Sequence, residues 1–85
     1  MSDSITICIQ PFAAVTDAMG RESTSITIDD GSTVSDAWNA LVQSYPDLVA
    51  LQDTIAFACN DRIVNRQTTL SDGDTLALLP PVSGG

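Results

Sequence analysis

The residues of this chain that could do chemistry are few, and the most unusual of them stand last: Gly84-Gly85 presents an α-carboxylate behind two residues that lack a Cβ. Such a pair can thread a channel too narrow for any other residue and take almost any φ inside it. The carboxylate, with a pKa of about 3.5, is ionised at neutral pH and a poor electrophile. It therefore needs a partner that converts it to an acyl-adenylate before it can accept sulfur or an amine. The other candidates are weaker. Cys8 and Cys59 are the only thiols, each inside an apolar run, and read first as buried free cysteines acting as small hydrophobes, with a disulfide or redox pair as the alternative. Asp29-Asp30 and Asp72-Gly73-Asp74 are carboxylate pairs beside glycine, where Asp serves turns by hydrogen-bonding to the backbone. Neither has the apolar surroundings that would raise a carboxyl pKa.

The absences narrow the chemistry further. There is no His and no Lys, which removes the commonest general base and the Schiff-base nucleophile. Two cysteines without histidine do not complete a four-ligand zinc site, and the Asp-Gly-Asp run lacks EF-hand spacing, so no metal is expected. No phosphate-cradling glycine loop and no Ser/His/Asp set is present. The chain is not expected to be an enzyme on its own, nor to bind a cofactor itself.

Eleven acids against three arginines give a formal charge of −8. That surface repels phosphate backbones and anionic lipid, so neither nucleic acid nor membrane is an expected partner. The acidity either meets a basic docking surface on another protein or serves only solubility in a salty cytoplasm. With 85 residues, 44% of them hydrophobic and 16% charged, the composition is that of one small globular domain. No run approaches the roughly 20 apolar residues of a membrane span, and Met1-Ser2-Asp3-Ser4 has no basic and apolar leader pattern. A cytoplasmic location is expected.

The elements that must position the tail follow from periodicity. Ser4 to Gln10 alternates with Ile5, Ile7 and Ile9 on one side, which predicts a strand. Pro11 ends it, and Phe12 to Gly20 is a short helix capped by Gly20 or a loop. Ser23 to Ile28 alternates again, with Ile26 and Ile28 inward. Thr33 or Ser32 then caps a helix whose apolar stripe is Val34, Ala37, Trp38, Leu41, Val42 and Tyr45, and Asp36 completes a capping box. Trp38, in the middle of the stripe, reads as core. Pro46 stops this helix, and a turn with a short helical piece around Leu48 and Leu51 follows. Ile55 to Asn60 is apolar on both alternating sets, so it is either covered on both faces or has an outer face awaiting a partner. Asn60-Asp61 turns into a short strand, Arg62 to Asn65. Leu70 packs before the Ser71-Asp72-Gly73-Asp74 turn, and Thr75 to Leu79 is the last strand. Pro80-Pro81 ends pairing and favours an extended path through Val82 and Ser83 to the diglycine.

A hairpin, a crossover helix and returning strands place the first and last strands as parallel central neighbours with the helix across one face. This is an α+β fold of β-grasp (ubiquitin-like) type with a mixed sheet. Residues 1–79 form the domain and 80–85 the extended tail.

The run from Leu70 through Asp72-Gly73-Asp74 to Pro80-Pro81-Val82-Ser83-Gly84-Gly85 resembles the closing segment of the small subunit of molybdopterin synthase, the MoaD family of ubiquitin-like sulfur carriers. Phe12-Ala13-Ala14-Val15 ahead of Gly20, the Thr33-Val34 helix start and Cys59-Asn60 leading to Ile63-Val64 extend the match over most of the chain. The resemblance implies that a ubiquitin-activator-like adenylating enzyme uses ATP at Gly85 and that a sulfurtransferase donor converts the adenylate to a thiocarboxylate. It further implies that the tail enters the synthase large subunit, in a heterotetramer, where its sulfur builds the dithiolene of molybdopterin. Phe12, Ile63 and Leu79 match family positions that form the apolar patch against that subunit, with Pro80, Pro81, Val82 and Ser83 leading into its pocket; Phe12 as plain core is the alternative. A carrier for thiamine synthesis or tRNA thiolation, or a ubiquitin-like protein modifier, shares fold and tail.

Overall fold

The computed structural model describes residues 3–80. Its elements, in order, are β1 (Ser4–Pro11), α1 (Ala14–Met19), β2 (Thr24–Asp29), α2 (Val34–Ser44), a 3-10 helix (Pro46–Leu51), β3 (Ala56–Cys59), β4 (Arg62–Val64) and β5 (Thr75–Leu79). The strands make one mixed sheet in the order β2-β1-β5-β3-β4. Only β1 and β5 are parallel, from Cys8 opposite Thr75 to Pro11 opposite Leu78. The expected arrangement is found: the last strand lies at the centre, beside the first.

Alternation decides the two faces. On β1, Ile5, Ile7, Ile9 and Pro11 are buried while Ser4, Thr6 and Gln10 are not. On β5, Leu76 and Leu78 are buried and the residues between them are only partly covered. These inward residues meet Val34, Ala37, Trp38 and Leu41 of α2, together with Val15, Met19, Leu48 and Leu70, in one core. Ile26, Ile28, Val42, Tyr45 and Leu51 are half-buried at its margin. The helix begins because Thr33 Oγ1 accepts from Asp36 N–H at 3.3 Å while Asp36 Oδ2 accepts from Thr33 N–H at 2.9 Å, satisfying two orphan amides at once. Thr33, not Ser32, is the cap. The segment after Pro11 is helical and closes on Gly20 at φ +71°, where the absent Cβ matters.

Trp38 is core, as its place in the stripe requires. It meets Phe57 edge-on, with centroids 5.7 Å apart at 77°, and the Arg66 guanidinium lies 5.9 Å from the Trp38 ring centre and 5.1 Å from that of Phe57. Arg66 also donates to the carbonyl of Gln52. One of the few cations is thus spent closing the core between β4 and the 3-10 helix. The β3–β4 connection is a two-residue turn with Asn60 at φ +50° and Asp61 at φ +71°, the positive pair a type I′ hairpin needs.

Candidate functional site

The helices cover one face of the sheet, and no described element covers the other. Register gives its composition. One row across it reads Gln10, Ala77, Ala58 and Ile63 on β1, β5, β3 and β4, and the next holds Leu79 opposite Ala56. Phe12 N–H donates to Leu78 O at 3.1 Å, continuing the β1–β5 ladder one residue past Pro11, so alternation turns Phe12 to this same face. Ile63 is 74% exposed and Phe12 46%, while Leu79 and Pro80 are half-buried. Three alanines make a low floor with Phe12, Ile63 and Leu79 as its large apolar members. On the outward side of the Ile55 to Asn60 segment Ala56 is exposed while Ala58 is buried among its larger neighbours, and Phe12 is no core residue. Ala56, Ala58 and Ala77 were not singled out by sequence reasoning, although their period of two on strands was a usable signal.

The tail follows the strand that contributes Ala77 and Leu79 to this face. β5 ends at Leu79, opposite Ala56, and Pro80 follows it. Pro81, Val82, Ser83, Gly84 and Gly85 lie outside the described residues, as does the expectation that they project as an extended arm.

The other end of the sheet is held by carboxylates. Asp72 Oδ1 accepts from Thr6 N–H at 2.8 Å, Gly73 N–H donates to Thr6 O at 2.9 Å, and Cys8 N–H donates to Asp74 O at 2.9 Å. Asp74 Oδ2 accepts from Ser71 N–H at 2.8 Å, while Asn60 Nδ2 donates to Asp74 Oδ1 at 2.9 Å and Asn60 Oδ1 accepts from Thr75 N–H at 3.0 Å. The Asp-Gly-Asp motif is a turn, and its carboxylates are occupied with backbone. The Ser71 N–H, aided by Asn60 and Cys59, holds the Asp74 carboxyl below its usual range. Gly73, at φ +87°, makes the turn possible.

Cys8 and Cys59 are free and half-buried. They lie on β1 and β3, two strand spacings or about 9.5 Å apart, and on opposite faces, since Cys8 is opposite Thr75 and Cys59 opposite the buried Leu76. A disulfide needs Cα atoms within about 7 Å, so this pair does not form one in this fold. Burial first, and then the Asp74 carboxylate, push the Cys59 thiol up to about 11, which keeps it a protonated packing group. Among the described residues no three His, Cys, Asp or Glu side chains gather to hold a metal ion, and no helix is long and apolar enough to cross a membrane.

Charge is distributed unevenly along the strands. Asp3, Asp29, Asp30, Asp61, Asp72 and Asp74 all sit at the end where β1 begins and β3 finishes, away from Leu79. Among the described residues, the row of Gln10, Ala77, Ala58 and Ile63 and the pair of Leu79 and Ala56 hold no acid.

A sheet with parallel central outer-terminal strands, one spanning helix and an apolar uncovered face defines a ubiquitin-like β-grasp protein. The crystal structure of SAMP1, the small archaeal modifier protein 1 of Haloferax volcanii, superposes with a TM-score of 0.84 at 31% identity, covering 94% of this chain and 99% of that one. The ThiS family model matches residues 9–85, and the chain belongs to that family. The molybdopterin synthase sulfur carrier subunit of Chlamydomonas reinhardtii is 32% identical over 76 residues, 87% of this chain and 92% of the relative. A complex of subunits 1 and 2 of the molybdopterin-converting factor from Helicobacter pylori contains a chain that matches with a TM-score of 0.66 at 28% identity, over 95% of this chain and 100% of that one.

Proposed function

We propose that this chain is the sulfur carrier subunit of a molybdopterin synthase and carries sulfur as a thiocarboxylate on Gly85. An adenylating enzyme of the ubiquitin-activator type joins the Gly85 carboxylate to AMP at the expense of ATP, releasing pyrophosphate. A persulfide of the sulfurtransferase donor then attacks the acyl carbon and expels AMP, and a thiol cleaves the resulting acyl disulfide, carrying the donor off as a mixed disulfide and leaving the thiocarboxylate. Gly84 and Gly85 enter the large subunit's pocket, Pro80, Pro81, Val82 and Ser83 span the distance to it, and Phe12, Ile63 and Leu79 seat the domain against that subunit in a heterotetramer. The chain supplies sulfur and position; the catalytic groups belong to its partners, and no cofactor binds to it. Residues 1–79 act as the mount and 80–85 as the arm.

The observation that carries this reading is the continuity of the uncovered apolar face with the strand that leads into the tail. A partner that buries Ala77, Ala58, Ile63 and Leu79 also receives whatever follows Pro80, because β5 supplies both. The family match runs through Gly85, and relatives matched along most of this chain are themselves named sulfur carrier subunits of molybdopterin synthase. A second reading, attachment of Gly85 to lysines of other proteins, is favoured by the likeness to small archaeal modifier protein 1.

Intact-protein mass spectrometry tests the reading. After incubation with ATP, an activating enzyme and a sulfur source, the mass should rise by the oxygen-to-sulfur difference, located at Gly85. The thiolated chain with a large subunit should convert the pyranopterin precursor. An unchanged mass under conditions that thiolate a known carrier rejects it, and isopeptide remnants on cellular lysines without precursor conversion select the modifier.

A further inference from the structure

The edge of the sheet farthest from β4 has an unused pairing surface. Asp30 N–H donates to Asp3 O at 2.9 Å, which fixes the phase of the β1–β2 ladder. Since opposite residues alternate between bonded and unbonded pairs, Ile28, Ile26 and Thr24 direct their backbone groups at Ile5, Ile7 and Ile9. Ser25 and Thr27 direct theirs outward, where β2 has no neighbour strand among the described residues. The β1 residues agree: Cys8 and Phe12 donate to the β5 side, leaving the odd-numbered isoleucines to β2.

This edge lacks the usual protections. Thr24–Asp29 contains no Pro and no Lys, has no bulge in its register, and is the longer of the two edge strands. Beside it lies a groove of about 430 Å³ between β2 and the start of α2, lined by Thr27, Ile28, Asp29, Ser32 and Asp36. Its lining includes the half-buried Ile28 and two carboxylates, Asp29 and Asp36, that have no cation bonded to them among the described residues, although Asp36 accepts from Thr33 N–H.

We propose that the free edge of β2 is a docking site for an extended, basic segment of a partner protein. The segment adds a sixth strand by pairing with Ser25 and Thr27, lays alternate apolar side chains against Ile28, and sets Lys or Arg against Asp29 and Asp36. The charge selects this occupant over a second copy of the chain, because two copies at −8 each would bring Asp29 and Asp30 into a common acidic field. β1 separates β2 from Ala77, Ala58 and Ile63, so this segment and a partner on those residues can be bound together.

Amide exchange on the ¹⁵N-labelled chain tests the site. The probes are a synthetic peptide of two arginines followed by alternating threonine and valine, and its twin with glutamate for arginine. The arginine peptide should slow exchange of the Ser25 and Thr27 amides by about tenfold or more at saturation, as new ladder hydrogen bonds require. The glutamate twin should bind at least about tenfold more weakly, and Asp29→Asn and added salt should each weaken the arginine peptide. Thr27→Pro removes one outward donor and should abolish binding; its amide spectrum reports whether the fold is kept, and Asp29→Asn serves if it is not. No slowing at millimolar peptide, equal binding of both twins, or shifts gathered at Phe12 and Ile63 instead overturns the proposal. So does concentration-dependent protection of Ser25 and Thr27 without peptide, which would mean that a second copy takes the edge.

Discussion

Asp72 and Thr6 are 66 positions apart, yet the Asp72 carboxylate accepts the Thr6 amide proton at 2.8 Å. Thr6 O in turn accepts from Gly73 N–H at 2.9 Å, so one residue of β1 is gripped through both its backbone groups by one turn. The turn feeds β5 directly. Fixing it against Thr6 sets the register in which Cys8 meets Thr75 and Pro11 meets Leu78, and hence the point at which the chain leaves the sheet for the tail.

Replacing Asp72 with Ala removes a charge-assisted acceptor and returns the Thr6 amide to solvent. Urea unfolding should show a loss of about 1–2 kcal/mol with an unchanged m-value. The Asp72→Asn variant, which keeps one acceptor oxygen, should recover part of it. Thiolation of Gly85 should survive in both if the turn is only structural.

The pH dependence of stability has a definite sign at Asp74. Its folded carboxyl is held below the ordinary value, chiefly by the Ser71 N–H and secondarily by Asn60 and Cys59. A group depressed in the folded state contributes stability that is present above its unfolded pKa and lost as pH falls through the folded one. Stability should therefore decline below about pH 4, where the unfolded chain begins to take up this proton first. Asp74→Asn should flatten that decline in urea titrations between neutral pH and pH 3; an unaltered acid limb would show that other carboxylates govern it.

Strand phase was the most legible property of the sequence. Ile5, Ile7 and Ile9, the stripe from Val34 to Leu41, and the Thr33–Asp36 box each obey a local rule that the tertiary fold has no reason to override. The central pairing of β1 with β5 followed from element order and connection handedness. The three alanines of the uncovered face were not legible as a site, because alanine is as common in a buried strand as in a bare one and only register shows which face each takes. The role of Arg66 was equally hidden. Its stacking on Trp38 and Phe57 joins residues from three elements, and no spacing within the chain announces it. The distal clustering of the acids likewise needed strand direction, since Asp3, Asp30, Asp61 and Asp72 are scattered in sequence. The tail itself was legible as composition, and its path belongs to residues beyond the described ones.

Cys59 gives a prediction at alkaline pH. Burial and the neighbouring Asp74 carboxylate raise its folded pKa to about 11 from an ordinary 9.0. The unfolded chain therefore loses this proton first, and stability should fall as pH rises from 9.0 towards 11. Cys59→Ala should remove that alkaline slope while costing some packing against the core. In the folded protein at pH 8, the Cys59 thiol should resist iodoacetamide and become reactive in urea, measured by peptide mass mapping. Rapid labelling in the native state would contradict the protonated, packed thiol.

Ile63 separates folding from partner binding. At 74% exposure it contributes little to the core, so Ile63→Asp should change unfolding free energy by no more than about 0.5 kcal/mol. The same change puts a charge beside Ala58 on the edge strand β4 of the uncovered face, where a covering partner would have to desolvate it. Association with a molybdopterin synthase large subunit should weaken by about tenfold or more, read by calorimetry, as expected for an unpaired charge that a covering partner must desolvate. Val49, 45% exposed on the 3-10 helix and on the other layer, is the matched control. Val49→Asp adds the same charge to an equally acidic chain, so any general electrostatic penalty appears in both variants and only the excess at Ile63 reports the docking face. Equal effects would move the interface elsewhere. Phe12→Ala should fall between them, because it removes apolar contact without introducing charge, and its loss should be mainly a faster dissociation.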